Sequence, residues 1–107
     1  MQLDERFSNS ELMKILDEAT VYQCACPAQV AQSILQLREL FKYQDICRTG
    51  RGDDLGVHVR IMSSVDRAHQ ELEACLFDVL ELEGWDLEEL EMPPGLRELR
   101  MQELLDD

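Results

Sequence analysis

The chain has few aromatic residues: one Trp, two Tyr and three Phe among 107 positions, or 6% of the sequence. A core must therefore come from Leu, Ile, Val, Met and Ala, which suits packed helices better than a sheet sandwich. There is no apolar run near the ~20 residues of a membrane-spanning helix. The opening segment, Met1-Gln2-Leu3-Asp4-Glu5-Arg6, lacks a positive stretch leading into an apolar one, so no secretion signal is visible and a cytoplasmic location is expected. There the four cysteines stay reduced. Catalytic signatures are missing as well. No G-x-S-x-G, no H-E-x-x-H and no G-K-[ST] occurs, so no catalytic residue or cofactor is assigned and a non-enzymatic role is expected.

Basic residues are scarce where they would matter most. Residues 1–70 hold ten acidic and eight basic side chains, whereas residues 71–107 hold thirteen acidic and only Arg97 and Arg100. Of the formal net charge of −13, the last third thus carries −11. Such a surface repels phosphates and anionic lipid, which argues against nucleic acid and membrane partners and favours a basic protein. A helix-turn-helix fails on the same ground, and on the Cys-Ala-Cys-Pro connection and the length of the second helix.

What is present is helical patterning. Ser8-Asn9-Ser10-Glu11 fits a capping box, with Phe7 and Leu12 placed to close a hydrophobic staple around it. A first helix is predicted over 9–23 on the stripe Leu12, Leu16 and Ala19, with Ile15 and Tyr22 beside it. Pro27 suits a helix first turn and opens a second helix over 27–46, its apolar face Val30, Ile34, Leu37 and Phe41. The short connection makes the two antiparallel. Glycines 50, 52 and 56 mark a loop over 48–56. Val57, Val59 and Ile61 alternate as a short strand would, but no second strand exists to pair with. The stripe Met62, Val65, His69, Leu72, Leu76 and Val79 favours a third helix over 57–83, with a kink conceivable at Ser63-Ser64 and Gly84 as its cap.

The expected fold is all-α: an antiparallel three-helix core in residues 1–84, and an acidic extension over 85–107 of one or two short helices packed on or near it. Asp86 would cap the first, Leu87 to Leu90, and residues 96–104 would form the second. The leucines of this extension, Leu87, Leu90, Leu96 and Leu99, are the candidate contacts to a basic or apolar-grooved protein, or to a second copy of the chain.

Thiol-based redox chemistry, or metal binding by Cys24 and Cys26 with a histidine, is the alternative. Cys24 and Cys26 flank the start of the second helix, where the helix dipole and open N–H groups favour a thiolate, so they are the candidate reactive thiols. A four-cysteine zinc site is excluded by geometry, because Cys26 and Cys47 at opposite ends of one helix stand roughly 30 Å apart. No metal ligands are assigned. His69 on the third stripe reads as a core-edge histidine with a hydrogen-bonded nitrogen, one turn from Glu73. Arg51-Gly52-Asp53 spells an integrin-binding tripeptide, but in an unexported chain it reads as a flexible turn.

Overall fold

The structure is a computed structural model that describes residues 2–19 and 26–93. Among the described residues three helices follow one another: α1 (Asn9–Ala19), α2 (Cys26–Arg51) and α3 (Val57–Leu82). Helices α2 and α3 form a long antiparallel hairpin, and α1 packs on the early half of α2. The all-helical reading holds, and residues 57–62 are helix, not strand.

The entry to α1 forms as its sequence dictates. The Glu11 amide donates to Ser8 Oγ at 3.1 Å, and the Ser8 amide donates to Glu11 Oε1 at 2.9 Å. Two N-terminal donors are satisfied this way, and Phe7 and Leu12 meet in one buried cluster above them. Replacing Ser8 with Ala is expected to lower unfolding free energy by about 1 kcal/mol in urea titrations, while Ser8→Asp retains most of it. Leu12, Ile15 and Ala19 are the buried positions. Tyr22, and the predicted run of this helix to residue 23, lie outside the described residues.

Helix α2 runs five residues beyond the expected end, through Cys47 and Gly50. Arg48 pairs with Asp45 at 2.8 Å, and Thr49 Oγ1 donates to the carbonyls of Asp45 and Ile46. These side chains hold the last turns together, so one unfavourable glycine does not end the helix. It stops at Gly52, whose φ of 85° is open to glycine at little cost and whose amide closes on the Arg48 carbonyl.

The buried stripe of α2 is also rotated from the expected one. It reads Pro27, Ala31, Ile34, Arg38 and Phe41, so Val30 and Leu37 fall to the edge and an arginine takes a core position. Residues 52–56 then turn the chain. Asp53 accepts the amides of His58 (3.0 Å) and Val59 (2.9 Å), capping α3. Desolvation pushes the Asp53 carboxyl up, but these two amides, with His58 and Arg48 nearby, outweigh it and hold the group below its usual value. The acid of the Arg51-Gly52-Asp53 tripeptide is thus engaged by its own chain.

Helix α3 runs unbroken through Ser63-Ser64 and ends in a Schellman motif. Gly84, at φ 75°, donates to the Glu81 carbonyl and Trp85 donates to the Leu80 carbonyl. Trp85 is thereby turned into the core beside Leu80. Beyond it the structure departs from the expected short helix. Asp86 does act as a cap, its Oδ1 accepting the amides of Glu88 and Glu89 at 2.9 Å, but the backbone closes back from Asp86 to Glu91 as a tight turn. Leu90 sits at its end with φ 56°. The four-residue segment is too short to sustain a helix against that closure. Trp85, Leu90 and Met92 join Phe7, Leu12, Ile15, Ile34, Leu76 and Leu80 in the main core, and the Met92 amide is tied to Glu18 Oε1 at 3.1 Å.

Candidate interaction surface

Two features stand apart from ordinary helix packing: a buried ionic cluster inside the bundle, and an apolar face along its outside. The cluster begins with Arg38, placed inward by its register on α2. Its guanidinium donates through Nε to His69 Nε2 at 3.0 Å, and through Nη2 to the Phe7 carbonyl at 2.6 Å and to Glu73 Oε2 at 3.1 Å. Through Nη1 it reaches the Asn9 side-chain oxygen, with Glu5 at 3.8 Å. Glu73 Oε2 also accepts the amides of Arg6 (2.8 Å) and Phe7 (3.0 Å). One arginine and one glutamate therefore bind α2, α3 and the segment leading into α1. The position of each donor is fixed by packing, and the oxygen of Glu73 that faces Arg38 is saturated with donors. The arrangement suits a structural pin better than proton or group transfer.

His69 is fully buried at the centre of the cluster. Accepting from Arg38 at Nε2 puts its own proton on Nδ1, which faces Glu73 Oε1 at 3.6 Å, beyond hydrogen-bond reach. Burial lowers the pKa of the ring. Glu73 opposes that effect, Arg38 adds to it, and Glu5 and Asp66 act in the direction of Glu73; the balance holds the ring neutral below its usual pKa of 6.5. The unfolded chain, titrating near 6.5, then binds the proton that the folded chain refuses. Stability is complete above about pH 6.5 and falls as pH drops below it, by at most about 1.4 kcal/mol per pH unit for one proton. In parallel urea titrations from neutral to mildly acidic pH, His69→Gln should remove this component and decline less steeply than the parent; equal slopes would show that His69 contributes none of it.

The outside feature lies on the α2–α3 hairpin. Because the α2 stripe is rotated, Leu37 and Leu40 are left at its flank, beside Arg60, Ile61, Val65 and Ala68 of α3, and together they line a shallow, largely apolar groove. Leu40 is 41% exposed and Val57 50% exposed. Among the described residues the bundle is here two helices deep, with Phe41, Met62 and Val65 as its small core and Leu3 packed over one side. The groove is on a side that no described residue covers.

Of the sequence-derived site residues, Cys26 is exposed at the first position of α2, and Cys24 lies outside the described residues. Cys47 is inside α2 and Cys75 is part-buried in α3. Among the described residues no group of three His, Cys, Asp or Glu side chains is placed to hold a metal ion. Leu87 is 37% exposed, whereas Leu90 is 3% exposed within the core and is not presented to a partner. Leu96 and Leu99 lie outside the described residues. Sequence reading passed over Arg38 and Trp85 altogether. The signal for Arg38 was its spacing, four after Ile34 and three before Phe41 on the buried stripe, and a charged residue at such a spacing calls for a buried partner.

Among the described residues no helix is long and apolar enough to cross a membrane. Comparison with protein-family models, with curated proteins and with solved structures finds no match to this chain.

Proposed function

We propose that this chain is a non-enzymatic, cytoplasmic protein-interaction module that binds through the open face of the α2–α3 hairpin. The observation that carries this reading is the groove lined by Leu37, Leu40, Ile61 and Val65, a contiguous, largely apolar strip along the α2–α3 hairpin. Apolar strips of that kind on small domains are commonly binding sites. The acidic side chains of the last third set the approach of partners by repelling anions and drawing basic surfaces. Within that third, Leu87, Leu96 and Leu99 remain proposed as further contacts, and Leu90 is withdrawn because it is core.

The test is a photo-reactive side chain at position 40, and separately at Lys14 on the outer side of α1, expressed in cells of the source organism. Discrete protein adducts from position 40 and not from position 14 support the reading. Equal labelling at both, or none at 40, overturns it. The same experiment on a chain lacking residues 94–107 shows whether the acidic segment is needed for capture.

A further inference from the structure

The occupant of this face is encoded in the face itself. On α3, Ala68 stands at the middle of a stripe separate from the buried one. Before it come Val57, Ile61 and Ser64; after it come Leu72, Cys75 and Val79. Val57, Ser64 and Ala68 are exposed, and the others are part-exposed at the edge of the core. The positions are symmetric about Ala68, at four, seven and eleven residues on either side. An antiparallel copy of the same helix therefore sets Val57 against Val79, Ile61 against Cys75 and Ser64 against Leu72, with the two Ala68 methyls at the centre. Large residues meet toward the ends, and small ones sit where the backbones cross closest.

Charge follows nearly the same symmetry, centred one residue further on, at position 69. Along the outer edge of this stripe lie Arg60 and Arg67, then Glu71 and Asp78, all exposed. Arg60 and Arg67 share one edge, since both donate to Ser64 Oγ. Glu71 and Asp78 continue it at helical spacing, four and eleven residues past Arg67. Both basic residues precede Ala68 and both acidic residues follow it. Reversing a second copy over the first brings Arg67 beside Glu71 and Arg60 beside Asp78, twice over in a two-fold pair. In a parallel two-fold pair the charged edges of the two copies fall on opposite sides of the seam and do not meet. A foreign partner would not require the surface to be its own electrostatic complement about the middle of α3.

We propose that this face is a homodimer interface, in which two α3 helices cross antiparallel at Ala68 and the Leu37–Leu40 flank of each α2 covers the sides. The product is a four-helix layer related by a two-fold axis. This rests on the reading of the face as a docking surface and names its partner as a second copy of the chain.

Sedimentation velocity on the full chain across the micromolar range tests it. The native chain should run at twice its monomer mass. Ala68→Arg sets two guanidinium groups on the axis and should give a folded monomer, with helicity checked by circular dichroism. Arg67→Glu places like charges together at two symmetric contacts and should weaken association about tenfold; adding Glu71→Arg should restore it. A native chain that stays monomeric overturns the homodimer, and so does a dimer indifferent to Ala68→Arg or a charge swap without rescue. The docking reading is judged apart from this. Adducts from position 40 consisting only of another protein keep that reading while the homodimer falls.

Discussion

Replacing Arg38 with Met is expected to cost about 3–5 kcal/mol of unfolding free energy, the range for breaking a buried ion pair from one side. Methionine fills the volume but donates nothing. The Glu73 carboxylate would be left buried with the amides of Arg6 and Phe7 as its remaining donors, and His69 Nε2 and the Phe7 carbonyl would lose their partner. Chemical denaturation followed by circular dichroism measures it. The companion experiment removes both charges: Arg38→Met with Glu73→Leu should recover part of the loss, because apolar replacement of a whole buried pair is far milder than orphaning one member. Additive losses in the double variant would mean that the two residues are not coupled. Recovery will be incomplete, since Glu73 also anchors the backbone ahead of α1.

The second large effect is expected at Trp85. Its truncation to Ala should destabilise the domain by about 3–5 kcal/mol, the usual range for a large core aromatic. Trp85 is the residue on which the post-helical turn hangs: its amide completes the α3 cap, its ring enters the core, and its indole N–H donates to Glu83 Oε1 at 2.9 Å. Leu90 and Met92 follow it into the same cluster. If residues 85–92 merely trailed from the bundle, Trp85→Ala would leave the denaturation midpoint nearly unchanged. Hydrogen exchange gives a second view: the Leu90 amide, bonded to the Asp86 carbonyl at 2.7 Å, should lose protection in the variant.

Several elements could be read without coordinates because their causes are local. The capping box at Ser8 and Glu11, proline in the first turn of α2, and the glycine that ends α3 act within a few residues. A third helix over 57–83 followed from periodicity and from the lack of a partner for a lone strand, and the helix observed is Val57–Leu82. The overshoot of α2 past residue 46 is also local, but it depends on side chains of Asp45, Arg48 and Thr49 that outweigh the glycine signal. The segment Leu87-Glu88-Glu89-Leu90 departs in the other direction: Asp86 caps it as expected, yet four residues cannot hold a helix when the chain must return to place Leu90 and Met92 in the core.

The sequence by itself determined the helical class, the antiparallel order and the acidic last third, because helix-forming periodicity and net charge are sums over neighbouring residues. The core expected from aliphatics alone also takes in Phe7, Phe41 and Trp85. Only the tertiary structure decided that Arg38 points inward, that Leu90 is core, and that Leu37 and Leu40 are left outside. The burial of Leu90 follows from the turn that closes Asp86 on Glu91. The other two turn on how α2 is rotated about its own axis, with Arg38 held by Glu73 and His69, more than thirty residues away in the chain. Ile34 and Phe41 are buried in either register; the carboxylate that needs a guanidinium favours the one with Arg38 inward, which leaves Leu37 at the edge, beside the exposed Leu40.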